Sequence, residues 1–138
     1  MLTYEEAKVT ILAHAKAQEP EKVDFRNSVG RALAEDLIAP EDQPPFDNSA
    51  VDGYAVKLNA IAKATSENPV VLRCQEYMFA GRLDTISLQD GECVQVATGA
   101  PIPLGADAVV MREQVARKDD HVYFSHPTQN GNNLRRRG

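Results

Sequence analysis

The stretch ECVQVATGAPIPLGADAVVM, residues 92–111, decides what kind of fold this chain can make. Glu92-Cys93-Val94-Gln95-Val96-Ala97, rich in strand formers and following the turn Gln89-Asp90-Gly91, reads as a strand. Pro101-x-Pro103-x-Gly105 then interrupts regular structure. Ala106 to Met111 resumes as the short apolar run of a buried strand. Upstream, Val70-Val71-Leu72-Arg73-Cys74-Gln75-Glu76-Tyr77 is rich in strand formers and is broken by Gly81. Downstream, His121-Val122-Tyr123-Phe124 follows the turn Lys118-Asp119-Asp120. Short strands at this spacing, without the alternating helices of a parallel sheet, predict an α+β, mainly β fold: an N-terminal helix segment plus an irregular, mostly antiparallel β domain.

The N-terminal segment reads differently. Thr3-Tyr4-Glu5-Glu6 is a capping box, and Tyr4, Ala7, Ile11, Leu12 and Ala15 recur behind it at helical spacing. A helix is expected over about 4–17, ended by Glu19-Pro20. Its apolar stripe needs a surface to dock on. Val23-Asp24-Phe25 alternates as a short strand, Asn27-Ser28-Val29-Gly30 marks a turn, and a further strand is expected at 35–39 before Pro40. A short helix is expected around 57–64.

Composition narrows the class. The chain has 138 residues, 43% hydrophobic and 25% charged, enough for a real core. Net charge is −5, which argues against non-specific nucleic-acid binding. That charge is unevenly spread. Residues 1–52 hold eleven acids against five bases, whereas residues 112–138 hold six bases against three acids and end in Arg135-Arg136-Arg137. No apolar stretch approaches the ~20 residues of a membrane helix, and Met1–Glu6 shows no secretory signal. A cytoplasmic protein with no membrane or nucleic-acid partner is therefore expected. Cys74 and Cys93 lie outside any CxxC pair and show no ligand spacing to His14, His121 or His126. They read as buried thiols, and no Cys/His metal site is expected.

Two loops are richer in polar residues than folding requires. Residues 44–56, PPFDNSAVDGYAV, place Asp47 and Asp52 five apart with Asn48, Ser49 and the permissive Gly53. Two such carboxylates can hold a hydrated divalent metal or work as acid and base. Residues 98–107 carry Thr98-Gly99, whose hydroxyl and bare backbone N–H groups suit an anion. On physical chemistry alone the plainer reading of both loops ranks first: an Asx-turn network around Asp47 and Asp52, and a proline-stiffened connection after Thr98. No GxxxxGK[ST], GxGxxG or GxSxG occurs. A self-contained nucleotide or hydrolase site is not expected.

The motifs nonetheless carry a resemblance. Residues 44–56 are similar to the signature loop of the molybdopterin molybdenumtransferase family, known in bacteria as MoeA and in animals as the E domain of gephyrin. Residues 97–113, ATGAPIPLGADAVVMRE, resemble that family's second signature, and residues 130–138, NGNNLRRRG, a third. Gly30-Arg31-Ala32-Leu33-Ala34-Glu35-Asp36 matches in kind. Val51 and Ala97 stand where the family usually has Met. The likeness covers essentially the whole chain, but family members continue for two further domains, including the one that holds the pterin.

The resemblance implies residues 1–40 with 127–138 as a discontinuous helix and linker domain, and 41–126 as a β-rich domain lining an active-site cleft. It implies an enzyme region that inserts molybdate into adenylylated molybdopterin in a Mg²⁺-dependent step, inactive by itself. Asp52 and Thr98 are then the catalytic candidates, with Asp52 also the metal ligand. Asp47, Ser49, Arg135, Arg136 and Arg137 would bind substrate, since Arg suits oxyanions. A homodimer and a molybdopterin adenylyltransferase-type upstream partner are implied. The alternative function is a protein-interaction or dimerisation module without catalysis.

Overall fold

A computed structural model describes residues 2–16, 18–82, 84 and 86–138. The chain divides into two compact units, Met1–Ile38 and Ala39–Gly138.

In the first unit, α1 spans Tyr4–His14. The capping box forms: the Glu6 N–H donates to Thr3 Oγ1 at 3.3 Å, and the Thr3 N–H to Glu6 Oε2 at 2.8 Å. These bonds satisfy backbone donors that a helix start leaves orphaned. The helix stops short of the expected end, because Ala15 turns extended at φ −70°, ψ 130°; position 17 lies outside the described residues. The stripe residues Tyr4, Ile11 and Leu12 are exposed, and no residue of α1 is buried.

The expected strand at 23–25 is a 3₁₀ turn over Phe25–Asn27. Asp24 Oδ1 accepts from the Arg26 N–H at 2.9 Å, so the short carboxylate captures the backbone locally and outcompetes extension. The expected strand at 35–39 also does not form; its apolar residues Leu37 and Ile38 are exposed.

The second unit is built on a mixed sheet. Its strands are β1 (Asn48–Ser49), β2 (Gly53–Val56), β3 (Val70–Met78), β4 (Glu92–Val96), β5 (Ala108–Met111), β6 (Val115–Lys118), β7 (His121–Phe124) and β8 (Leu134–Arg135). Six of them run in the order β5-β2-β4-β3-β7-β6, while β1 pairs with β8. All pairings among the described strands are antiparallel except β3 with β4. The fold is therefore α+β, mainly β, and mostly antiparallel. The parallel pair needs a long crossover, and residues 79–91 provide it.

Burial explains the apolar runs. Tyr54, Val56, Cys93, Val110 and Phe124 gather in one cluster; Ala55, Val94, Val96 and Val109 gather in another. Neighbouring residues along β2, β4 and β5 thus alternate between two buried faces. Strands covered on both sides lose the apolar–polar alternation, so Ala108-Val109-Val110 reads as an unbroken run. Tyr54 meets Phe124 edge-on, with ring centroids 6.5 Å apart. The helix α2 is only Leu58–Ile61. Its first N–H, that of Leu58, donates to Asp107 Oδ2 at 2.9 Å, a cap supplied from 49 residues away.

Of the hairpin β6–β7, the turn and β7 are as expected, whereas β6 has no counterpart in the sequence reading. Val115-Ala116-Arg117-Lys118 holds little apolar signal, and all but Val115 are exposed. Its turn puts Asp119 at φ 55°, which Asp tolerates better than most residues. Residues 127–138, expected with the N-terminal segment, fall in the second unit, where β8 pairs with β1.

At Gly53 the strands β2 and β5 approach closely. A Cβ there would lie 2.2 Å from the Val110 carbonyl oxygen, a backbone atom that cannot swing aside. Gly53→Ala is expected to cost about 1–3 kcal/mol by forcing β2 from β5. The urea midpoint should fall while the slope of the transition stays unchanged.

Candidate functional site

Three loops converge at residues 47–52. The first contact is backbone to backbone. Ser49 N–H donates to Ala100 O at 2.9 Å, Gly99 N–H donates to Ser49 O at 2.8 Å, and Ile102 N–H donates to Asp47 O at 3.1 Å. The third loop joins through β8: Ser49 pairs with Leu134, Asn48 with Arg135, and the Ala50 N–H donates to Asn133 O at 2.9 Å. Asn133, at φ 56°, is itself pinned by its Nδ2 donating to Val109 O at 2.8 Å.

Asp52 and Thr98 meet directly, although 46 residues separate them. Asp52 Oδ1 accepts from the Thr98 N–H at 2.7 Å and from Thr98 Oγ1 at 2.8 Å. Both residues are exposed. The backbone bond from Thr98, then its hydroxyl, then the Arg112 charge hold the Asp52 carboxyl below its ordinary value. Among the described residues Asp52 Oδ2 has no hydrogen-bond partner.

A second carboxylate cluster lies on the same loop. Asp47 Oδ1 accepts from the Arg137 N–H at 2.8 Å, and Oδ2 from Arg136 at 2.5 Å. These bonds, the backbone one first, lower the Asp47 carboxyl. Arg137 also pairs with Asp42 through its side chain. Arg136 and Arg137 are therefore already paired, while Arg135 is exposed with no side-chain partner among the described residues. Ser49 is wholly buried, and its hydroxyl donates to Val51 O at 2.6 Å.

The geometry thus brings Asp52 to Thr98 and Asp47 to Arg136 and Arg137, and places Ser49 beneath them. Sequence reasoning passed over Arg112, whose N–H donates to Asp52 O at 3.2 Å, and Asp42. Arg112 sits within the second motif as its basic residue at a strand end, which was a usable signal. Asp42 offered none beyond its place in a carboxylate-rich loop.

No cluster of three or more His, Cys, Asp or Glu occurs among the described residues. A divalent ion at this surface would have Asp52 Oδ2, with the Thr98 hydroxyl oxygen beside it, as its protein ligands. Mg²⁺ characteristically uses one or two carboxylates and takes its other ligands from water and substrate phosphate, so the residues fit such an ion. No described helix is long and apolar enough to cross a membrane.

Comparison with known proteins places these motifs. A family model described as "MoeA N-terminal region (domain I and II)" matches residues 2–138. Molybdopterin molybdenumtransferase 2 of Mycobacterium tuberculosis is 36% identical over 138 residues, covering the whole chain and 34% of that protein. The molybdopterin molybdenumtransferase of Synechococcus elongatus is 37% identical over 142 residues, with 35% of its length covered. The crystal structure of the molybdopterin biosynthesis MoeA protein from Pyrococcus horikoshii OT3 superposes with a TM-score of 0.77 at 42% identity, over 86% of this chain and 31% of that one. The chain spans about a third of the length of these relatives.

Two outcomes are expected at this site. Asp52 should titrate below the ordinary 3.8 in a carboxyl-carbon NMR titration, and Thr98→Val should move the midpoint up towards 3.8 by removing the hydroxyl bond alone. Because the folded value is depressed, the contribution of this contact is present above pH 3.8 and is lost as pH falls through the folded value. Asp47→Asn should speed hydrogen exchange at the Arg137 amide. It should cost about 1 kcal/mol or less in global stability, because the Asp47–Arg136 pair is partly solvated.

Proposed function

Because the chain belongs to the MoeA N-terminal region family, we propose that it forms one wall of the site where molybdate is inserted into adenylylated molybdopterin. The observation that supports this is the Asp52–Thr98 contact, an exposed and ionised carboxylate oriented by a second motif loop. A carboxyl held below its ordinary value is a weak base at neutral pH, so proton abstraction suits Asp52 poorly. Binding a hydrated cation, or orienting water through its charge, suits it better. Mg²⁺ bound there would neutralise phosphate charge on the substrate.

Thr98 would fix the rotamer of Asp52 and present its hydroxyl oxygen beside it. Arg135 would add attraction for the anionic substrate. Asp47, Arg136 and Arg137 would act on substrate through the loop geometry they hold, and Ser49 through the buried bonds beneath it. The pterin-binding surface would come from the remainder of a longer protein, so this chain alone would not turn over. A homodimer, a cytoplasmic setting and an upstream adenylyltransferase-type partner accompany the proposal. A second reading, a protein-contact module, draws on the exposed apolar stripe of α1, including Tyr4, Ile11 and Leu12.

The test is Asp52→Asn, Asp52→Ala and Thr98→Ala in the full-length transferase that contains this region. Molybdenum insertion should fall roughly a hundredfold or more for both Asp52 variants, and less for Thr98→Ala, with circular dichroism unchanged and melting lowered by a few degrees at most, because only one exposed contact is lost. Wild-type rates in all three folded variants would overturn the assignment. Binding of a protein partner unaffected by molybdate or adenylylated pterin would favour the second reading.

A further inference from the structure

Cys74 and Cys93 occupy partnered positions on the parallel strands β3 and β4. Partnered residues point to one face, and both belong to the buried cluster around Tyr54 and Phe124. Neighbouring strands lie roughly 4.8 Å apart, inside the Cα separation of about 4.4–6.8 Å that a disulfide spans. Both cysteines are free. The register of β3 on β4 shifts between Cys74 and Tyr77, directly after the cysteine pair.

The surroundings favour reaction at Cys74. Arg117 projects its charge onto both thiols and is itself held by Gln95 Oε1 at 2.6 Å and by the Asp119 carbonyl at 2.8 Å. The Cys74 thiol donates to the Glu76 carbonyl at 3.8 Å, and its neighbours, the Cys93 thiol first, then the Gln95 backbone and the Arg117 charge, pull it below the ordinary thiol value against the opposing effects of burial and Asp120. The same neighbour, with burial, pushes the Cys93 thiol up. Cys74 keeps a trace of solvent exposure, 9%, and Cys93 has none, so Cys74 is the sulfur an oxidant reaches first. Nothing in the proposed molybdate chemistry uses either.

We propose that Cys74 and Cys93 are a reversible oxidation site, converted by a hydroperoxide into a disulfide that bridges β3 and β4. The Cys74 thiolate attacks a peroxide oxygen, the O–O bond breaks, and the distal oxygen leaves as water or alcohol after taking a proton. Cys74 becomes a sulfenic acid. The Cys93 sulfur then attacks the Cys74 sulfur; the S–S bond forms, the S–O bond breaks, and the oxygen departs as water with the Cys93 proton. Two electrons pass from the pair of sulfurs to one peroxide. The bridge falls on strands that lead to the candidate site. The Met78 carbonyl at the end of β3 accepts from the Ala97 N–H at 2.8 Å, and β4 ends at Val96, just before Thr98.

The test uses the folded 138-residue chain and hydrogen peroxide, read by intact mass and peptide mapping. The monomer should lose the mass of two hydrogens, yield a single Cys74–Cys93 cross-linked peptide, keep its circular dichroism, and regain both thiols with dithiothreitol. Cys93→Ser should stop at a Cys74 sulfenic acid that a dimedone reagent traps. Cys74→Ser should react roughly tenfold or more slowly. Two free thiols surviving in the folded wild-type chain, or cross-links only between molecules or only in denaturant, would overturn the proposal whether or not the variants fold.

Discussion

Ser49 has no solvent contact, and a buried backbone amide and carbonyl must each find a partner. The Ser49 N–H finds Ala100 and its carbonyl finds Gly99, which ties the loop around residue 49 to the loop after Thr98. The Ser49 hydroxyl closes on Val51 O, and the pairing of Ser49 with Leu134 brings in the C-terminal strand. An irregular loop with few apolar anchors is held in this way by its hydrogen bonds. Asp52 and Thr98 can remain exposed and still be placed, because the order beneath them is buried.

The two carboxylates of that loop have different surroundings. Asp47 is engaged by Arg136 and the backbone of Arg137, so its charge holds the segment at 136–137. Among the described residues Asp52 has no side-chain cation bonded to it; its partners are one amide and one hydroxyl, both on a single oxygen. Its charge therefore stays available. This difference, more than the presence of two acids at close spacing, separates a structural carboxylate from a candidate ligand.

Much of the sheet was legible from residues. β3, β4, β5 and β7 were each signalled by strand formers bounded by Gly, Pro or Asp turns, and the capping box of α1 is a purely local pattern. The failures share a cause. At Asp24 a local side-chain bond competes with extension, and at 35–39 the apolar residues stay exposed. β6 is an edge strand with little apolar pattern, held by its pairing with β7. The strand at 92–96 was legible, but not that β4 lies between two clusters or that Glu92 is buried with its carboxylate bonded to Arg73 and Gln75.

The sequence by itself determined the family, the class of fold, the helix start and the identity of the two loops, because those are written in local periodicity, turn chemistry and long motifs. It also supplied the carboxylates, hydroxyl and arginines as candidates, without saying which would meet. Tertiary structure alone decided that Thr98 orients Asp52, that Arg136 and Arg137 are paired with Asp47 and Asp42, and that Asp107 caps a distant helix. It also brought two cysteines with unremarkable spacing into register on adjacent strands. Each of these contacts joins residues far apart in the chain, and such pairings are set by strand order and by which backbone groups lose their water.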